Sequence, residues 1–193
     1  MPRPIRIPLV LVAALLVAAG CSDVTNPDQG NVRVVLSASN TLQAAPALGD
    51  DDDQDDGERY VSRLESANVT FSSLLARNLS GQLVDLGGDL PRTVDVVGLM
   101  GGDDVTLPSG SLPPGEYDQL VVVMTELELV FLDGSKIALS PPGGGWTSIV
   151  PVAPFTVVEG QDLVLELDLN LGRTFRQAGS AFRFFPEFEG HRR

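Results

Sequence analysis

LELVFLDGSKIAL, residues 127–139, contains two apolar runs separated by the dipeptide Asp133-Gly134. Asp-Gly between two such runs is a strong signal of a β-hairpin, because these residues tolerate the positive φ angles of a type I′ turn. The stretch therefore predicts two antiparallel strands joined by a tight type I′ turn.

Further short apolar runs continue in both directions from this hairpin. The predicted strands cover residues 31–36, 67–72, 82–86, 94–99, 118–124, 126–132, 136–139, 155–158, 163–171 and 181–188. Glycine- and proline-rich turns separate them, and only residues 72–78 predict a helical turn. Short strands with frequent turns and no long helix indicate an all-β fold, either a sandwich or a barrel.

The N-terminus has the layout of a secretory signal peptide. Arg3 and Arg6 precede an apolar run at residues 7–17, which is shorter than the roughly 20 residues that a membrane-spanning helix needs. Small residues then lead into Cys21, the only cysteine of the chain. This ending resembles the lipobox of bacterial lipoproteins, and it predicts a lipid anchor on Cys21. Ser22 in the next position favours the outer membrane, and secretory cleavage without a lipid is the alternative.

The domain organisation follows from this interpretation. Residues 1–20 are a lipoprotein signal peptide, and their removal from 193 residues leaves 173, the size of one domain. Residues 21–30, the lipidated cysteine and a polar stretch rich in turn formers, are expected to form a flexible tether. The folded β-domain is expected over residues 31–189.

The charge of the chain limits its partners. The formal net charge is −13, and the mature chain is more acidic still because the signal peptide carries Arg3 and Arg6. Such a balance argues against nucleic acid, whose phosphates require a basic surface. It also argues against electrostatic docking on anionic headgroups, so the expected attachment to the membrane is the lipid on Cys21.

Residues 50–58, DDDDQDDGE, form the most acidic segment of the chain. Blocks of like charge repel and extend, so the segment is expected to belong to a solvated, disordered insertion at about residues 44–58. The EF-hand pattern fails here, since Arg63 stands where its bidentate glutamate would be. Weak calcium binding through carboxylate oxygens is the alternative, with the candidate ligands Asp51, Asp53, Asp55 and Glu58.

Several short segments follow one another in a recognisable order. They are GNVRV (30–34), ANVTF (67–71), LPPGEYDQL (112–120), the Asp133-Gly134 hairpin, FTVVEG (155–160), LELDL (165–169) and FFP (184–186). This order resembles a family of bacterial lipoprotein domains of unknown function. The resemblance implies an antiparallel β-sandwich of the prealbumin-like (transthyretin-like) type and a location in the cell envelope, but no catalytic residues.

The residues needed for catalysis are scarce, so the chain is not expected to be an enzyme. His191 is the only histidine and lies in a terminal stretch that is expected to fray, whereas a catalytic triad needs a packed histidine. With one histidine and one lipidated cysteine, no zinc site is expected. Carboxylates are plentiful, but the sequence marks no catalytic pair. We expect neither a cofactor nor a firmly bound metal.

Two aromatic positions are candidates for ligand contact. Trp146 follows Gly143-Gly144-Gly145, where an exposed ring would stack on a sugar, although a buried ring at the start of a strand is the commoner outcome. Tyr117 ends the sequence LPPGEY, which is expected to be a structural turn with proline at its corner and the tyrosine packed inside.

We therefore expect a lipid-anchored β-sandwich of the cell envelope that acts as a non-catalytic binding module. Its expected partner is an envelope protein or an envelope glycan. A structural or assembly role in the envelope is the alternative, and a hydrolase is the more distant one.

The first test concerns the anchor. Cys21→Ser removes the thiol that would receive the lipid, so we expect the variant to lose incorporation of a palmitate analogue and to leave the membrane fraction. Metabolic labelling followed by cell fractionation measures both effects. Membrane retention and labelling equal to those of the wild type would exclude a lipid on Cys21.

Overall fold

The computed structural model describes residues 28–40, 60–107, 110–141, 143–178 and 181–193. These residues form thirteen β-strands, a 3-10 turn at Gly98–Gly101 and a helical turn, α1, at Leu171–Thr174. The strands are β1 (Gly30–Ser39), β2 (Leu64–Asn78), β3 (Leu83–Asp85), β4 (Arg92–Asp95), β5 (Val105–Thr106), β6 (Gly110–Leu112), β7 (Gly115–Phe131), β8 (Lys136–Leu139), β9 (Trp146–Val157), β10 (Asp162–Asn170), β11 (Phe175–Ala178), β12 (Ala181–Phe184) and β13 (Phe188–Arg192). None of the described helices has the length and apolar character needed to cross a membrane.

The strands form two sheets around one hydrophobic core, so the all-β sandwich predicted from the sequence is confirmed. The first sheet has the order β13-β10-β1-β5, and β6 also pairs with β1. The second has the order β3-β2-β7-β8, with β4 on β2 and β9 on β7. β11 and β12 form a separate two-stranded ribbon. Side chains from both sheets and from the ribbon belong to the same buried cluster.

The first sheet is mixed, which corrects the expectation of a purely antiparallel sandwich. β1 and β10 run parallel, from Asn31 opposite Asp162 to Ser39 opposite Asn170. Strands joined by a tight turn must be antiparallel, but parallel neighbours need a long connection. Here the whole second sheet lies between β1 and β10 along the chain, and this connection permits the parallel arrangement.

β7 is one strand of 17 residues where the apolar pattern predicted two. Its core-facing side chains alternate from Leu120 to Met124, and the alternation resumes at Leu127, three residues later. Thr125 is left out of register, since Glu126 pairs with Thr70 while Met124 pairs with Phe71. A β-bulge inserts one residue in this way without ending the strand, and the predicted break at Thr125 is therefore wrong.

β2 has a matching bulge at Ser72 and continues as a strand beyond it. Phe71 and Leu74 both face the core because Ser72 is the extra residue between them. A spacing of three residues between apolar side chains is also typical of one face of a helix. The helical turn predicted at residues 72–78 is therefore wrong. The Ser72 hydroxyl donates a hydrogen bond of 3.2 Å to the carbonyl of Val123 on the facing strand.

The hairpin between β7 and β8 is antiparallel as predicted, but its turn is not type I′. Gly134 has a φ of 80°, whereas no described residue other than glycine has a positive φ, so Asp133 lacks the φ that type I′ requires. The N–H of Gly134 donates to the carbonyl of Phe131, and the N–H of Phe131 donates to the carbonyl of Ser135. The loop is thus a type I turn followed by a left-handed glycine. The hydroxyl and the N–H of Ser135 donate to Asp133, which lowers the pKa of that carboxyl.

The C-terminal stretch forms β13, so the prediction that it frays is wrong. β13 pairs antiparallel with β10 and places His191 opposite Glu166. The N–H of Arg193 donates to the carbonyl of Val164, and its guanidinium binds Glu166 at 2.8 Å and Asp104 at 3.0 Å. The tail lacks the apolar alternation of a strand, and it is held by backbone pairing and by these ion pairs.

β1 defines two poles of the sandwich. Gly30, at its start, lies opposite Leu112 near the turn that leads into β7, and we call this end the entry pole. Ser39, at its other end, lies opposite Asn170, which directly precedes α1 and β11, and we call this end the distal pole. The ten residues of β1 separate the two poles by about 33 Å.

Gly134→Val tests the loop of the hairpin. A β-branched residue at a φ of 80° is strained, so the free energy of unfolding should fall by about 1–2 kcal/mol. A Cβ at this position would meet no atom within 4 Å, so the loss would come from the backbone alone. Chemical denaturation measures it, and Gly134→Asn is the control because asparagine tolerates this conformation. Equal losses in both variants would contradict a conformational origin.

Candidate functional site

The sequence-predicted site residues fall in different parts of the chain. Cys21 and the candidate calcium ligands Asp51, Asp53, Asp55 and Glu58 lie outside the described residues. Trp146 is described and begins β9, where it is half-buried. Its ring packs edge-on against Phe184, with the ring centroids 4.8 Å apart. Part of the indole surface is therefore covered by Phe184.

Several described carboxylates form contacts within the fold. Asp168 accepts hydrogen bonds from the hydroxyls of Ser37, at 3.1 Å, and of Ser39. Asp118 forms an ion pair of 3.0 Å with Arg77 across β7 and β2. In the described part of the chain no carboxylate is buried, and no three metal-ligating side chains converge. The pair of close, buried carboxylates that would suggest a glycosidase is thus not found in these residues.

His191 lies on the exposed edge strand β13. Its side chain is 61% exposed, and its Nε2 is 3.8 Å from a carboxylate oxygen of Glu189. Catalysis by a triad requires a histidine oriented by a buried third group, and this environment does not supply one.

Residues 112–117, LPPGEY, form a tyrosine corner at the entry pole. Tyr117 is buried and its hydroxyl donates a hydrogen bond of 2.9 Å to the carbonyl of Pro113, four residues upstream. Its ring stacks on Phe155 of β9, with the centroids 5.5 Å apart. Such a corner fixes the path of the chain into a long strand of a β-sandwich. Tyr117 is therefore a structural residue, as the sequence suggested.

A shallow cleft of about 430 Å³ lies beside this corner. It separates the β2–β3 turn from the β6–β7 turn, and its polar lining includes the side chains of Asn78, Ser80, Gln82 and Glu116. The carbonyl oxygen of the Asn78 side chain accepts from Ser80 and from the N–H of Gln82, so it shapes the turn itself. The cleft thus has few polar groups that are not already used by the fold.

The β11–β12 ribbon packs on the sandwich through aromatic side chains. Tyr60 stacks on Phe182 with the centroids 4.9 Å apart and meets Phe131 at 5.4 Å. Phe175 and Phe184 continue the contact toward Trp146. The ribbon therefore has a buried aromatic side, which links the ends of β7 and β9.

The opposite side of the ribbon is cationic. Arg176 and Arg183 lie directly opposite each other in its register, and both are exposed. Phe185 follows, with 54% of its surface exposed. We call the side chains of Arg176, Arg183 and Phe185 the arginine face.

The charge of the arginine face is only partly neutralised. Glu187 forms an ion pair of 2.9 Å with Arg173 and lies 3.8 Å from Arg176. Arg183 has no ion-pair partner among the described residues. Like charges directly opposite on paired strands destabilise a sheet, so this placement suggests a role other than stability. It is the best candidate for a binding site in this part of the chain.

The arginine face was not predicted from the sequence, because residues 181–188 were interpreted as one strand. The available signal was the mirrored pattern FRQA-GS-AFRF at residues 175–184, in which the two arginines are equally distant from its centre.

Comparison with protein families gives one match to the chain. The family described as "Domain of unknown function (DUF4382)" matches residues 55–184, more than half of the sequence. The chain belongs to this family. Neither a curated protein nor a solved structure matches it.

The DUF4382 match has a structural meaning. It begins within the acidic segment and ends with Phe184, the last residue of β12, so it contains the second sheet, β10 and the ribbon. β1 and β13, the two partners of β10 in the first sheet, lie outside it. The chain was expected to belong to a family of domains of unknown function, and the match confirms this.

Tyr117→Phe tests the tyrosine corner. It removes the hydrogen bond from the tyrosine hydroxyl to the carbonyl of Pro113, so the free energy of unfolding should fall by about 1 kcal/mol. Burial raises the pKa of Tyr117, so the wild type should also lose stability as the pH rises above about 10, where tyrosine ionises in the unfolded chain. The variant has no ionisable hydroxyl at position 117, so its free energy of unfolding should fall less between pH 7 and pH 11. Urea denaturation at pH 7 and pH 11 measures both effects, and unchanged stability at pH 7 would contradict the corner.

Proposed function

We propose that this DUF4382 protein is a lipid-anchored lipoprotein of the bacterial cell envelope, attached at the outer membrane through Cys21. Its β-sandwich, of prealbumin-like type, acts there as a non-catalytic module that recognises an envelope protein or glycan. The single observation that supports recognition best is the placement of the arginine face at the pole opposite to the one where the tether enters.

The orientation of the domain relative to the membrane depends on the tether. Gly30, the first residue of β1, is the ninth residue after Cys21, and at full extension this span reaches about 30 Å. With a lipid on Cys21, the entry pole is the end of the domain nearer to the membrane. The distal pole then faces away from the lipid surface, toward other components of the envelope.

The distal pole has side chains suited to recognition. Leu132, just after β7, is 69% exposed, and Phe185 is 54% exposed. Exposed apolar side chains next to arginine are typical of binding surfaces, because arginine and aromatic residues contribute most of the energy in such contacts. An arginine beside an aromatic ring also suits a sugar that carries a carboxylate or phosphate.

The decisive experiment compares three forms of the tagged protein in intact cells. They are the wild type, the distal variant Arg183→Gln/Phe185→Ser, and the control Ile149→Ser. Ile149 is a suitable control because it is 62% exposed in β9, outside the arginine face. Crosslinking followed by purification measures the protein partner, and a glycan array with the purified forms measures sugar binding.

We expect the distal variant to lose the crosslinked partner or the glycan signal, and the control to keep it. Equal recovery from all three forms would contradict recognition through the distal pole. A stoichiometric protein complex that survives in the distal variant would instead favour the assembly role. Melting temperatures of the three forms must agree within a few degrees for the comparison to count.

A further inference from the structure

We propose that the arginine face binds a sugar that carries a phosphate monoester, with the phosphate on Arg176 and Arg183 and the sugar ring on Phe185. The inference rests on the proposed function and deepens it, since it names the ligand class of the same face. An anionic glycan, and not an envelope protein, is then the partner of the distal pole.

The two arginines of the ribbon are placed to hold one anion. Arg176 and Arg183 are directly opposed in the register of β11 and β12, which puts their Cβ atoms about 5 Å apart on one side of the ribbon. The neighbouring pair, Phe175 and Phe184, is buried on the other side with ring centroids 5.7 Å apart. Both guanidinium groups therefore point away from the core, close enough to donate to the same set of oxygen atoms.

The charge of this pair favours a phosphate monoester over a carboxylate. Such a phosphate carries a charge of about −1.5 to −2 at pH 7 and three acceptor oxygens, whereas a single arginine already satisfies a carboxylate. Glu187 is the nearest recorded counter-charge, but its contact of 2.9 Å is with Arg173, and it lies 3.8 Å from Arg176. Arg183 has no ion-pair partner among the described residues, so the pair keeps positive charge for a ligand.

Arg176 is oriented by the fold before any ligand binds. Its Nε donates a hydrogen bond of 3.0 Å to the carbonyl of Arg173, and its terminal nitrogen lies near Glu187. Both contacts place the guanidinium toward Thr174, whose carbonyl accepts a hydrogen bond of 2.9 Å from the N–H of Phe185. The charged group of Arg176 is thus held on the Phe185 side of the arginine pair. An arginine fixed in this way loses little side-chain entropy when it binds an anion.

Phe185 supplies a surface for the sugar ring. It follows Arg183 by two residues and continues the pairing of β12, so the two side chains lie on the same side of the ribbon about 7 Å apart. The phenyl ring is 54% exposed, and the carbon-bound hydrogens of a sugar ring pack well on such an aromatic face. A hexose stacked on Phe185 would carry its exocyclic phosphate over the arginine pair.

The segment between β12 and β13 is held firmly against the sandwich. The carbonyl of Pro186 accepts a hydrogen bond of 3.2 Å from the Ser148 hydroxyl. The N–H of Glu187 donates to the Thr174 hydroxyl at 3.1 Å, and its carbonyl accepts from the N–H of Asn170 at 3.0 Å. The side chain of Glu187 remains 41% exposed, so its carboxylate has lone pairs that can accept from sugar hydroxyls. This preorganised surface loses less entropy when a ligand binds.

The test measures binding of four small ligands to the purified full-length protein in detergent by isothermal titration. They are glucose 6-phosphate, inorganic phosphate, glucuronate and glucose. We expect glucose 6-phosphate to bind at least tenfold more tightly than each of the others, since it alone combines a dianion with a ring. Equal affinity for glucuronate would overturn the assignment of a phosphate. Equal affinity for inorganic phosphate would overturn the assignment of a sugar.

Three variants locate the site. Arg183→Gln should lower the affinity for glucose 6-phosphate tenfold or more, because one of the two guanidinium groups is lost. Phe185→Ser should lower the affinity for glucose 6-phosphate but leave that for inorganic phosphate unchanged. Arg33→Gln is the matched control, since Arg33 is an exposed arginine of β1, and it should bind as the wild type does. An equal loss in this control would show general attraction of anions and would overturn the proposal.

Melting temperatures separate a binding role from a structural one. Arg183→Gln relieves the repulsion of two opposed like charges, so the unliganded variant should melt no lower than the wild type. Glucose 6-phosphate should raise the melting temperature of the wild type but not that of the variant, because a ligand stabilises only the state that binds it. Equal shifts in both proteins would overturn the proposal.

These measurements need no envelope partner, so they are independent of the crosslinking test in cells. The wild type could bind no glucose 6-phosphate while the distal variant still loses a crosslinked protein. That result would overturn the ligand class and leave the proposed recognition in place.

Discussion

The pairing of β2 with β7 is the interaction on which the rest of the sandwich depends. These are the two longest strands, and each contributes a row of buried side chains to the common core. Neither row could face the core along its whole length without the bulges at Ser72 and Thr125, which lie at neighbouring positions of the ladder. Each bulge shifts the alternation by one residue, so that the side chains on both sides of it point to the same face.

The first sheet depends on contacts that are distant in sequence. β1 pairs in parallel with β10, although the whole second sheet lies between these two strands along the chain. β13 pairs with the other edge of β10. Gly190 of β13 shows how closely the sheets approach, since a Cβ there would lie 2.7 Å from Val152 and 3.2 Å from the carbonyl of Pro151 on β9. A side chain at position 190 would push the edge strand away from the second sheet.

Charge is distributed unevenly in this molecule. The chain is strongly acidic, yet five of its thirteen basic residues lie within residues 173–193. Three of them, at positions 173, 176 and 183, surround the ribbon, while Arg193 is neutralised by Glu166 and Asp104. The ribbon therefore gathers positive charge on a chain that is acidic as a whole. The net charge of the chain does not reveal this local concentration of arginines, because total charge and local charge are different quantities.

The sequence by itself determined the local elements of this protein. The alternation in β10, the antiparallel hairpin at Asp133-Gly134 and the packed tyrosine of LPPGEY are properties of a few adjacent residues, and all three are present. Tertiary structure alone decided where alternation is interrupted, since a bulge at Thr125 is stable only against its counterpart on β2. Tertiary structure also decided that β1 and β10 run parallel and that Arg176 lies opposite Arg183. These features depend on which strands become neighbours, and that choice is made by burial of the whole core, which no short stretch of sequence encodes.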